Sequence, residues 1–139
     1  MNTQTQCTIF KLNLLKGLEN FNTGSPYTYK IALYTEDATL DAATTAYSTD
    51  NEVVGTGYTA GGKTLTTVDP ASDETTAYIS FQNVTWTSAA FTANSALIYN
   101  ATTNAAVAVL NFGANKTGSD TFTITFPTAS ANTAIIRIE

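Results

Sequence analysis

The chain has no histidine and a single cysteine, Cys7. The first absence removes the usual base of Ser–His and Cys–His catalysis. The second excludes an internal disulfide and the Cys/His cluster that tetrahedral zinc requires. Charge is scarce as well, at 12% of the 139 residues, with six basic side chains against eleven acidic ones. Lys11, Lys16, Lys30, Lys63, Lys116 and Arg137 stand singly along the sequence. Phosphate backbones and anionic headgroups are held by clustered Lys and Arg, so neither nucleic acid nor a membrane is an expected partner. No run approaches the roughly 20 apolar residues of a bilayer-spanning helix. The opening Met1-Asn-Thr-Gln-Thr-Gln6 carries no basic and apolar leader pattern, so no secretory signal is expected.

What is present is a Thr-, Ala- and Asn-rich chain with short alternating apolar runs. Asp120-Thr-Phe-Thr-Ile-Thr-Phe126 shows this best: Phe122, Ile124 and Phe126 share one face of a strand and threonines the other. A chain of this length can bury a single core. Helical spacing occurs once, between Thr8 and Asn20, where Phe10, Leu14 and Leu18 recur every fourth residue, Phe21 continues the stripe and Leu15 broadens the apolar face. Thr8 is a candidate cap, and Asn22-Thr-Gly-Ser-Pro26 a stop. This helix is expected to pack on its own sheet; the other reading is an arm on a neighbouring subunit. Cys7, followed by Thr8, Ile9 and Phe10, reads as a small buried hydrophobe.

After Pro26 the period becomes two. Tyr27 to Tyr34 predicts a strand with both faces partly apolar, and residues 35–51 a long polar connection. Further strands are expected near 52–58, 63–68, 76–81, 83–87, 89–93, 95–100, 105–112, 120–126 and 133–138. Residues 100–104 form a hairpin loop, and Pro70 and Pro127 fall at strand ends. Many short strands at close spacing predict an all-β fold, an antiparallel β-sandwich or jelly-roll-like arrangement with one N-terminal α-helix. The expected layout is a single domain over 1–139, with a helical arm at 1–24 and the sandwich at 25–139. Trp86 is expected in the core.

Paired carboxylates are the one catalytic option left, since glycoside hydrolysis needs only two. The acids gather in Glu36, Asp37 and Asp41, in Asp50 and Glu52, and in Asp69, Asp73 and Glu74. They are read as solvated loop acids, with Ca²⁺ binding or a carboxylate hydrolase using Asp37 or Asp41 as lesser alternatives. Gly55-Thr-Gly57-Tyr-Thr-Ala-Gly-Gly62 lacks the GK[ST] ending of a phosphate loop. It predicts a turn with close backbone approach. No cofactor is expected.

Several segments together resemble a family of small proteins encoded among the virion genes of tailed bacteriophages. They are Phe10-Lys-Leu-Asn-Leu-Leu-Lys-Gly17, Lys30-Ile-Ala-Leu-Tyr-Thr35, Ala38-Thr-Leu40 and Thr44-Thr-Ala-Tyr47. The series continues with Asn51-Glu-Val-Val-Gly-Thr-Gly-Tyr-Thr-Ala-Gly-Gly62, Ala96-Leu-Ile-Tyr-Asn100, Ala106-Val-Ala-Val-Leu-Asn-Phe-Gly113 and Phe122-Thr-Ile-Thr-Phe126. Val54 departs from the pattern, where a polar residue is more usual. The resemblance implies a non-enzymatic structural protein of the particle, located in the virion and assembled in the host bacterial cytoplasm. Its first expected role is a capsid decoration or cement protein that docks on the major capsid protein and self-associates. A tail, adaptor or fibre component is the alternative. The candidate contact residues are Phe10, Leu14 and Leu18 on the arm, Asp37 and Asp41 in the acidic loop, and Tyr58 in the glycine-rich turn. A carbohydrate-binding module using Tyr58 or Trp86 is a further alternative.

Overall fold

A computed structural model describes residues 2–139 as two antiparallel sheets and one short helix. In chain order the elements are β1 (Thr5–Gln6), α1 (Thr8–Leu15), β2 (Tyr29–Tyr34), β3 (Lys63–Thr64), β4 (Thr67–Asp73), β5 (Thr76–Phe81), β6 (Val84–Asn100), β7 (Ala105–Ile124) and β8 (Ile136–Ile138). One sheet runs β1-β7-β6-β2-β3 and the other β4-β5-β8. The fold is therefore the all-β sandwich with one N-terminal helix that the periodicity predicts.

The spine is the β6–β7 hairpin, whose strands are 17 and 20 residues long. Its inner half, Ser95–Asn100 paired with Ala105–Asn111, carries β2 along β6 and β1 at Ala108 and Val109 of β7. All of Ser95–Asn100 is buried, as are Ala106–Leu110, because this half is covered on both faces. The outer half, Val84–Ala93 against Lys116–Ile124, alternates buried and exposed residues. Strands of this length would otherwise accumulate too much twist, and bulges bend them. One extra residue, Ser88 at φ 51, shifts the phase. Val84 and Trp86 point inward before it, and Ala89, Phe91 and Ala93 after it. A larger insertion, residues 112–115, sits opposite Asn94 with Gly113 at φ 77.

Three expected strands, 83–87, 89–93 and 95–100, are thus one bent strand, and their predicted gaps coincide with its irregularities. The expected 105–112 and 120–126 strands also merge into β7. The expected strand at 52–58 reduces to isolated bridges, Tyr34 with Glu52 and Thr56 with Ala90. Pro70 lies within β4, at the register shift between Val68 and Ala71. This is an edge strand, where a missing N–H leaves no ladder bond unmade.

α1 is shorter than its periodicity. Cys7 takes the N-cap without a side-chain bond, so Thr8 does not cap. The helix ends at Lys16 because Gly17 adopts φ 71, letting Gly17 N–H reach the Leu14 carbonyl (3.1 Å) and Leu18 N–H the Asn13 carbonyl (2.9 Å). Phe10 and Asn13 face inward. Phe10 meets Phe21 edge-on at 5.9 Å, Phe21 stacks on Tyr29 at 4.4 Å, and Phe21 touches Phe81 at 6.1 Å. Phe21 therefore ties the arm, the large sheet and the small sheet into one core. Cys7 is fully buried, and desolvation, helped by the Asp41 charge, pushes its thiol up to about 11. It is the inert hydrophobe expected.

The arm is consequently part of the core and not a detachable hook. Phe10→Ala should lower the unfolding free energy by about 3–5 kcal/mol, read from urea titration of the circular dichroism signal. An unchanged midpoint would show that the arm contributes nothing to the fold.

Candidate functional site

The candidate contact residues separate once placed in the fold. Phe10, expected at an interface, has no exposed surface and is unavailable to a partner. Leu14 is half-buried and packs on the core, while Leu18 is exposed. The exposed apolar surface of the arm is Leu12, Leu15 and Leu18, at 44%, 88% and 43% exposure. Leu12 and Leu15 are three apart on α1 and so share a face. Of the Phe10/Leu14/Leu18 stripe only Phe10 and Leu14 face the core; Leu18 follows the Gly17 stop, and Leu15, expected to broaden the buried face, lies on the exposed side with Leu12. Val54, the departure noted in the sequence, is 95% exposed on another part of the surface.

Asp37 is exposed, and Asp41 is half-buried with its carboxylate accepting the Ala43 N–H at 2.8 Å. Asp41 N–H donates to the Thr44 hydroxyl at 3.0 Å. These are turn-forming bonds of the chain's own backbone. The 35–51 connection is polar and irregular as expected, yet well anchored. Thr3 N–H reaches the Leu40 carbonyl, Thr8 N–H that of Ala42, and Ala106 N–H that of Thr45.

One acid in these loops behaves differently. Glu52 is 6% exposed, and its carboxylate gathers the surrounding chain. Tyr58 donates to Oε1 at 2.6 Å, Gly61 N–H to Oε1 at 2.7 Å, and Tyr47 to Oε2 at 2.7 Å. Tyr58 also accepts the Leu33 N–H at 2.9 Å, and Tyr99 donates to the Gly61 carbonyl at 2.7 Å while stacking on Tyr47 at 4.7 Å. The glycine-rich turn is thereby pinned to β2 and β6. Gly62, at φ 74, lies so close to the Ile31 carbonyl that no side chain fits. A Cβ on Gly57 would come within 2.6 Å of the Ser88 carbonyl. Every donor is already committed, so Glu52 is a structural clamp. Tyr58, expected on the surface, packs against Trp86 and Phe91 and belongs to this clamp. Trp86 is 1% exposed. Trp86 therefore has no free face for a sugar, and Tyr58 is half-buried against it.

A second buried acid, Glu19, accepts Tyr29 at 2.7 Å and Asn100 Nδ2 at 3.2 Å through Oε2. Oε1 has no hydrogen-bond partner among the described residues. Burial raises this carboxyl, and the side chains of Tyr29, Asn100 and Asn13 pull it part of the way back. No group of three or more Cys, Asp or Glu among the described residues is arranged to hold a metal ion. No helix among them is long and apolar enough to cross a membrane. Compared with known protein families, curated proteins and solved structures, the chain matches none.

Glu52→Ala would leave two phenols and an amide without their acceptor, and should cost about 2–4 kcal/mol in urea unfolding. Alkali should act on the same cluster. Burial, and then the nearby Glu52 charge, push Tyr99 up to about 12; burial leads the upward shift of Tyr47 and Tyr58 as well. Free tyrosine ionises near pH 10, so above that the folded chain binds more protons than the unfolded one. Stability should be full below about pH 10 and fall as pH rises towards 12. Ionisation of Tyr47, Tyr58 or Tyr99 well before unfolding would contradict this.

Proposed function

We propose that this chain is a non-enzymatic structural protein of a tailed-bacteriophage particle, docking as a capsid decoration protein on the major capsid protein. The observation that carries the reading is the apolar surface of the arm: Leu12 and Leu15 stand exposed on a helix whose other side is locked into the core, and Leu18 is exposed just beyond its Gly17 stop. A rigidly mounted apolar patch offers hydrophobic contact without ordering a flexible segment on binding. The sequence segments that resemble virion proteins supply the particle context, and one of them, Phe10–Gly17, contains Leu12 and Leu15. The outer half of the β6–β7 hairpin adds a threonine-rich face, with Thr85 and Thr123 hydroxyls 3.0 Å apart and Thr92 and Thr117 hydroxyls 2.9 Å apart. Short β-branched side chains lose little freedom on contact.

The chain should be present in purified particles of the virus whose genome carries it. A copy number close to that of the capsid protein indicates the head lattice, and a handful per particle the tail or neck. Leu12→Ser combined with Leu15→Ser should leave the circular dichroism spectrum unchanged and reduce incorporation at least about tenfold, the effect of roughly 1.4 kcal/mol of lost docking energy. Particles that lack the chain altogether, or that take up the variant normally, would defeat the reading.

A further inference from the structure

The sheet carrying the long hairpin ends in an edge that is only half covered. β1 pairs with β7 at Ala108 and Val109 alone. Beyond the 112–115 insertion, β7 bonds to β6 on one side, and among the described residues no other backbone bond reaches residues 114–124. An antiparallel strand in that position turns alternate N–H and C=O groups outward, which makes it a template for another strand. Along this edge runs a groove of about 540 Å³, lined by Phe112, Phe122, Ile124, Phe126 and Ile135 among others.

The charges on this edge are placed symmetrically. Lys116 and Asp120 lie opposite the buried residues Ala93 and Ala89, so they project on the core-facing side of the ribbon, yet both are exposed. Neither has a side-chain partner among the described residues. Gly118 lies midway between them on the same side, where a Cβ would crowd Ala89 at 3.0 Å and Phe122 at 3.1 Å. An antiparallel strand centred on Gly118 that repeats the same sequence would set Lys116 opposite Asp120 twice, at the separation where cross-strand pairs interact. Centring the pairing on Lys116 or on Asp120 would oppose like charges. Lone inward charges protect an edge from indiscriminate pairing; here the same two charges select one partner and one register.

We propose that the outer edge of β7 is a self-association surface, on which a second copy of this chain pairs antiparallel about Gly118 and joins the two large sheets across a twofold axis. This is independent of the virion reading: a monomeric protein found in particles would defeat the edge pairing alone.

Sedimentation velocity of the full chain over a concentration series should reveal a reversible dimer. Lys116→Glu and Asp120→Lys should each weaken it about tenfold or more, because each sets like charges opposite one another at both symmetric positions. An equimolar mixture of the two variants should dimerise again, since every pair across that mixed interface is of opposite sign. Asp120 adopts φ 85, so circular dichroism must show the lysine variant folded; should it not fold, Asp120→Asn keeps a residue that tolerates this backbone and should weaken the dimer several-fold. A chain that stays monomeric up to about 1 mM overturns the proposal. So does a dimer indifferent to both reversals, or single variants that fail to associate when mixed.

Discussion

The rest of the molecule depends on the pairing of β6 with β7. Two strands of 17 and 20 residues give one ribbon to which the other parts of the large sheet attach: β2 on inner β6, β1 on inner β7, and the glycine-rich turn on outer β6 through Thr56 and Ala90. A ribbon this long is stable only if it bends with its own twist. Ser88 and the 112–115 insertion provide the bends without ending the ladder. The bends also divide the labour of the ribbon. The inner half is buried on both faces and forms the core; the outer half keeps one face in water.

Glu52 solves a different problem. The chain between β2 and β3 lacks regular structure over nearly thirty residues, so its backbone polar groups cannot be satisfied by a ladder. A single carboxylate with three donors supplies the missing order and draws Tyr47, Tyr58 and Gly61 to one point. Burying a charge is costly unless it is fully bonded, and here both oxygens are occupied. Glu19 is the instructive contrast. It too is buried, but one oxygen is bonded and the other has no partner among the described residues, and burial raises its carboxyl.

Much of the fold was legible because alternation is a direct image of a half-buried strand. Thr76–Phe81 follows the expected span, the 100–104 loop joins the strands expected on either side, and the predicted breaks at 88 and 94 fall on irregularities of β6. Residues 113–119 were illegible as strand because a ribbon edge in water needs no apolar partner; its structure comes from pairing with β6, which composition does not record. The run after Asn51 misled in the opposite direction: its apolar residues serve a pinned loop. The helix periodicity overran because Phe21 belongs to the same cluster as Phe10 without being helical, and Gly17 ends the helix between them. At the candidate site, Glu52 looked like its solvated neighbours, since burial of one loop acid depends on tyrosines contributed from distant strands. Among the contact residues, the periodic stripe marked the buried side at Phe10 and Leu14 and failed at Leu18, because Gly17 ends the helix before it.

The surfaces left over follow from this arrangement. Leu12 and Leu15 are exposed because α1 is clamped by Phe10 and Asn13 on its opposite side, so the helix cannot rotate to bury them. Outer β7 is open because the N-terminal segment leaves it after Gln4 and Asn2 bond to Asn111, turning away towards Leu40. Both exposed features are therefore products of a rigid frame and keep their shape without a partner. Contact through such surfaces carries little ordering cost, and a protein built of short, stiff side chains on a bent ribbon is suited to association by shape and strand pairing more than by flexible capture.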